Sequence, residues 1–127
     1  MCITNCVYLR DSLIVNGFNA KVKPVIALYD NAIDKIQVCC IHMVIECNGH
    51  ILDASYEIHN TNAEYFDTLG DVLSLLKKNI YYGELDKKEV IAGFIRFIDF
   101  AKRINQGELL IVDKEYYDSQ ADYLEKI

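Results

Sequence analysis

Thiols at Cys2 and Cys6, an imidazole at His42 and a carboxylate at Asp53 are the groups in this chain whose chemistry could combine. A cysteine becomes a nucleophile when its thiolate is favoured by a helix N-terminus or a neighbouring imidazolium. A histidine becomes an effective base when a third group fixes its tautomer and orientation. Three such groups brought together can attack an amide or acyl carbonyl through sulfur. Whether they meet depends on the elements that carry them.

The imidazole and the carboxylate are placed by a local signal. Asn48-Gly49 separates two apolar, β-branched runs at 36–47 and 50–58, the pattern of a two-residue hairpin with a type I′ turn. That turn pairs Cys47 with His50, Glu46 with Ile51, Ile45 with Leu52, Val44 with Asp53 and His42 with Ser55. Paired residues point to one face, and faces alternate along each strand. His42 and Asp53 become diagonal neighbours on a shared face, about 7–8 Å apart at the backbone. Aspartate is depleted in strands, and a buried one needs a partner; His42 is the obvious one. Ser55, Glu46 and Cys40 lie on the same face and are secondary pocket candidates. His50 adjoins the turn and is expected to be exposed, while His59 is the fallback base should the register differ.

The thiols belong to the opening segment. Apolar residues at 2, 6, 9 and 13 form a helical stripe closed by Asn16-Gly17. Cys2 and Cys6, four residues apart, share that stripe with Leu9 and Leu13. Packed on the His42 face of the sheet, this helix would bring thiol, imidazole and carboxylate together. Residues 21–29 read as a strand, with Pro24 marking an edge or an entry. The run at 36–47 is apolar on both faces up to Val44, as in a central strand. The remainder turns mainly helical. Thr61-x-x-Glu64 and Thr68-x-x-Asp71 are capping-box-like starts, and Asp86-x-x-Glu89 opens a longer helix. Its expected apolar face is Val90, Ile91, Phe94, Ile95, Ile98, Ala101 and Ile104. A short strand at 108–112 and a last helix at 119–127 complete the pattern. The tyrosine pairs Tyr81-Tyr82 and Tyr116-Tyr117 could line a pocket, although such pairs more often cap a core with one wet edge.

The expected fold class is therefore α+β: an N-terminal helix packed on a small antiparallel sheet, with additional C-terminal helices. Residues 1–127 are expected to form a single domain, with 1–58 giving the helix and a three-stranded core and 59–127 a mainly helical remainder. The composition is that of an ordinary globular chain, 52% hydrophobic and 25% charged with one proline. A net charge of −6 argues against nucleic acid, which needs clustered Lys and Arg, and disfavours anionic membranes. The N-terminus has neither the charged region nor the apolar core of a signal peptide. Five cysteines, an odd number, are then expected to be reduced thiols in a cytoplasmic compartment. Their spacing does not suggest a zinc site.

The order of cysteine-bearing helix, strand, His-bearing strand, tight hairpin and Asp-bearing strand resembles the papain-like and transglutaminase-like cysteine enzymes. The resemblance covers residues 2–58. It is best in His42-x-x-x-Glu46, Asn48-Gly49 and Ile51-Leu52-Asp53-Ala54-Ser55, which looks like the His…Gly…Asp-Pro-(Ser/Thr) segment of small bacterial and phage members. Ala54 stands where proline is usual. Cys2-Ile-Thr-Asn5 also matches the Cys-x-x-Asn of small members; Cys6 matches less well but has the better-supported backbone and is slightly favoured as nucleophile, with Cys2 kept open. The resemblance implies a Cys-His-Asp triad with Cys6 or Cys2 as nucleophile, His42 as general base and Asp53 as its orienting partner. It implies a cysteine-dependent hydrolase or acyl/amide transferase of protease, amidase or deamidase type. Such an enzyme acts on a peptide, a protein side-chain amide or a small acyl substrate and requires no cofactor or metal. The alternative is a catalytically inactive papain-like binding protein that engages a small molecule or a protein partner. An arylamine-acetyltransferase-like acyl carrier shares the Cys-His-Asp order, but this chain is too short for one.

Overall fold

The computed structural model describes residues 2–30, 36–54, 63–83 and 85–107. Helix α1 (Cys2–Val15) ends where Asn16-Gly17 requires. Gly17 adopts φ +89°, and the amides of Gly17 and Phe18 bond back to Ile14 O and Leu13 O at 3.0 and 2.9 Å. This is a Schellman closure, which glycine accommodates without steric cost. Strands β1 (Ala20–Asp30) and β2 (Gln37–Cys47) pair antiparallel along their whole lengths, from Ala20↔Cys47 to Asp30↔Gln37. Asn48 (φ 51°) and Gly49 (φ 77°) then turn the chain into β3 (His50–Leu52). The pairs Cys47↔His50, Glu46↔Ile51 and Ile45↔Leu52 are those the turn dictates.

A fourth strand, β4 (Glu64–Phe66), pairs with Ile26–Leu28 of β1 and makes the sheet order β3-β2-β1-β4. This adds a strand from the 59–127 part to the three expected within 1–58, and it corrects the placement of Glu64 in a helix start. Helix α2 (Leu69–Leu75) begins at Thr68, whose hydroxyl accepts from Asp71 N. Helix α3 (Lys87–Asn105) begins with a complete Asp86/Glu89 capping box and ends with Lys102 and Arg103 against its dipole. The expected strand at 108–112, the final helix at 119–127, Ser55, His59 and the Tyr116-Tyr117 pair lie outside the described residues.

Helices α1, α2 and α3 pack on one face of the sheet, in two apolar clusters. The first joins Cys6, Val7, Leu9 and Leu13 of α1 to Ala20, Val22, Met43, Ile45, Cys47 and Leu52, with Ala101 and Ile104 of α3. The second joins Ile26, Leu28 and Cys39 to Val72, Leu75, Leu76, Ile80, Val90 and Phe94. Complete burial of a side chain such as Phe94 contributes on the order of 2–3 kcal/mol. Gly93 lets α3 lie close to β2, because a Cβ there would collide with Ile41 Cδ1. Ile95 and Ile98, expected on the apolar face of α3, are instead exposed. The helix meets the sheet through Gly93, Phe94, Ala101 and Ile104, and these two residues fall outside that arc.

The strand edges are closed piecemeal. Outward-facing backbone groups of β1 alternate with those bonded to β2, so Ile26 and Leu28 face β4 while Val22 and Pro24 face beyond its reach. Asn105 supplies the missing strand at Val22: its Oδ1 accepts from Val22 N at 2.8 Å and its Nδ2 donates to Val22 O at 2.9 Å. Pro24 has no N–H to satisfy on that open stretch, as the expectation of an edge position requires. Arg10 of α1 joins the same corner, with Nη1 on Asp11 Oδ1 (3.1 Å) and Nη2 on Asn105 O (3.4 Å). Replacing Asn105 by Ala should lower stability by about 1–2 kcal/mol, because two backbone groups lose their partner. Asn105→Asp should cost at least as much, since it turns a donor into a second acceptor facing Val22 O; urea unfolding of both variants measures this.

Candidate active site

The second face of the sheet carries the alternate residues: Val25 and Ala27 of β1, Cys40, His42 and Val44 of β2, Asp53 just past β3, and Tyr65 of β4. Val25, Ala27 and Val44 are fully buried, and His42 and Asp53 are only 3% and 6% exposed. His42 Nε2 lies 2.8 Å from Asp53 Oδ1, which assigns the ring proton to Nε2, because a carboxylate accepts. The diagonal pairing read from the turn is therefore made.

Tyr65 Oη donates to the other carboxylate oxygen, Asp53 Oδ2, at 2.8 Å. Tyr65 and Asp53 belong to opposite edges of a four-stranded sheet. Three strand spacings separate those edges, about 14 Å if the sheet were flat, so the bond requires it to curl with His42 on the concave side. In the ladder Ala27 stands opposite both Cys40 and Tyr65, and its single methyl leaves room for the phenol beside it. Burial first, and then the bond to Asp53, push the Tyr65 phenol well above its ordinary value. Tyr65 escapes sequence reasoning because its strand has three residues and the preceding Thr61-x-x-Glu64 suggests a helix. The available signal is the carboxylate itself: a buried Asp has more acceptor capacity than one imidazole proton fills.

The thiols are placed as follows. Cys2 is the first residue of α1. Cys6 sits one turn further on, 1% exposed, within the first cluster and hence on the face opposite His42. The expected packing of the α1 stripe on the His42 face is thus corrected. That face holds a histidine and Glu46, whereas the other presents Met43, Ile45 and Cys47 to Leu9 and Leu13. The Cys6 thiol donates to Met43 O at 3.0 Å. By the alternation of the β2 ladder, that carbonyl points to the edge which β3 leaves uncovered beyond Leu52. The N-terminal half of α1 therefore meets β2 beyond the end of β3, one residue from His42.

Among the secondary candidates, Cys40 is half-buried on the concave face. Glu46 is exposed and bonded to Lys23 (2.8 Å), which also pairs with Asp67 (2.7 Å) at the rim; Ser55 lies outside the described residues. Tyr81 pairs with β2 through its backbone, and the Tyr82 hydroxyl donates to Leu75 O and Lys78 O. Neither tyrosine contributes to the site. Among the described residues, clefts of about 190 Å³ lie beside Lys21, Lys23 and Asn105 and between Ile41 and α3; His42 lines neither of them. Among the described residues no cluster of His, Cys, Asp or Glu could hold a metal, and no helix is long and apolar enough to cross a membrane. No family model, curated protein or solved structure matches the chain.

Asp53→Ala should destabilise the protein by about 3 kcal/mol, because a buried and a half-buried donor lose their acceptor. Combined with His42→Ala it should show a coupling of at least about 1 kcal/mol in a double-mutant cycle of urea unfolding. A second prediction concerns pH. Burial pushes the Cys39 thiol up to about 11 and raises Cys47, and Tyr65 is also raised. Each folded-state value lies above its unfolded one, so their contribution is complete below about pH 9. It is lost as pH rises toward 11 and beyond. Unfolding free energy measured from pH 7 to 11 should fall over that range, and Cys39→Val should reduce the slope.

Proposed function

We propose that this chain is a small cysteine-dependent hydrolase or acyl/amide transferase, of the papain-like or transglutaminase-like kind that its sequence resembles. The hydrogen bond from His42 Nε2 to Asp53 Oδ1, buried and 2.8 Å long, carries the reading. A carboxylate that fixes the Nε2–H tautomer leaves Nδ1 as the nitrogen that takes a thiol proton.

Cys2 is the nucleophile we favour over Cys6. It is the first residue of α1, and the Cys-x-x-Asn part of the resemblance falls on it. Cys6 is one turn deeper, and its proton is committed to Met43 O, which favours the inert thiol form. In the reaction, His42 Nδ1 accepts the thiol proton and sulfur bonds to the carbonyl carbon. The leaving amine departs with the proton from His42, and a thioester remains. Water, or an acceptor amine, then attacks the thioester with His42 again taking the proton, so the products are those of amide hydrolysis, deamidation or acyl transfer. The substrates of this reading are peptides, protein side-chain amides or small acyl groups. Asp53 holds the ring and stabilises the imidazolium. A binding protein with structural cysteines is the second reading, and the burial of Cys6, Cys39 and Cys47 favours it.

Alkylation with iodoacetamide at pH 6 separates the two. Cys39 and Cys47 have raised proton affinities and should label slowly. An enzyme should show one thiol reacting far faster, mapping to Cys2. That fast phase should vanish in Cys2→Ala, survive in Cys6→Ala and slow about 100-fold in His42→Ala. Uniformly slow labelling would sink the enzyme and leave the binding protein.

A further inference from the structure

We infer that Tyr65 is a positioning residue of the His42–Asp53 pair: its hydroxyl holds the Asp53 carboxylate ionised and turned toward His42. The inference rests on the reading of His42 as general base, but its geometry stands independently.

Three observations lead to it. Asp53 follows the last residue of β3, so no strand ladder fixes its backbone where the chain leaves the sheet. A carboxylate on such a residue is oriented only if its oxygens are held. His42 holds Oδ1 and Tyr65 holds Oδ2, each at 2.8 Å. Second, the ladder places Tyr65 opposite Ala27, the smallest side chain among the described residues of the concave face, and this lets a rigid phenol reach across two strands. Third, Asp53 is nearly sealed from solvent, so its charge depends on protein donors; a hydrogen bond to the ionised form lowers a carboxyl's proton affinity. Among the described residues, the titratable groups on this face are Cys40, His42 and Glu46 of β2, Lys21, Lys23 and Tyr29 of β1, Asp53 and Tyr65. Lys23 is paired with Glu46 and Asp67 at the rim, and the phenol and the imidazole each donate to one oxygen of Asp53.

The alternative is that Tyr65 only fills space and closes the curl. Tyr65→Phe separates the two, because the ring stays and only the donor goes. The probe is the Asp53 carboxyl ¹³C shift, followed by NMR from pH 2 to 8 in both proteins. A positioning role predicts a midpoint about one unit higher in Tyr65→Phe. The acid limb of the Cys2 alkylation profile should move up with it. An unchanged Asp53 midpoint in a folded Tyr65→Phe protein would overturn the inference. A displaced midpoint in a protein whose thiols all label slowly upholds the role of Tyr65 and removes the enzyme. Should Tyr65→Phe fail to fold, the Tyr65 ¹³Cζ shift in the unaltered protein serves instead. It must move through the Asp53 titration, and a flat response overturns the inference.

Discussion

A buried carboxylate between two donors governs the shape of the sheet. Asp53 accepts from an imidazole on β2 and from a phenol on β4, and β4 lies at the far edge of the sheet from the strand that Asp53 follows. An ionised carboxylate withdrawn from water is costly unless its oxygens are satisfied. The sheet therefore curls until both donors arrive, and the residues inside the curl must be small or apolar. Val25, Ala27 and Val44 meet that demand and exclude water from the pair. In such surroundings each hydrogen bond is electrostatically stronger than it would be at the surface.

The opposite face provides rigidity. Two apolar clusters anchor α1, α2 and α3 there, and the unpaired edges of the long strands receive improvised partners. Asn105 serves the outer edge of β1, Tyr81 pairs with β2 at Gln37 and Cys39, and the Cys6 thiol takes Met43 O. Exposed backbone edges invite pairing with other chains, and these contacts occupy several of the groups that would do so. Cys6 thus has a structural duty in the sheet whatever its neighbour at position 2 does.

The sequence makes the hairpin and the His42–Asp53 pair legible because both follow from one dipeptide. Asn48-Gly49 sets a turn, the turn sets a register, and a period of two sets the faces. The caps at Thr68 and Asp86 are equally local and equally visible. The rest depends on information that no window contains. Three residues of β4 are too few for a periodic signal. The stripe at Cys6, Leu9 and Leu13 says that α1 packs, but not on which face of the sheet. Ile95 and Ile98 look like core by periodicity, and only the line along which α3 meets the sheet shows that they are not. Tyr65 is hidden for both reasons, since its strand is short and its partner is twelve residues away across the curl.

The two-residue turn also limits how such a chain can change over generations. Side chains alternate with a period of two, so adding or losing one residue at Asn48-Gly49 would shift the returning arm by one place. Asp53 would then face Met43, Ile45 and the apolar cluster beneath α1, a charge without a donor, while His42 and Tyr65 would lose their common acceptor. Substitutions at the turn need only preserve its positive φ angles, whereas odd changes of length dismantle a network whose other members lie on different strands. Hairpin length is in this sense inherited together with the site, although neither turn residue touches it.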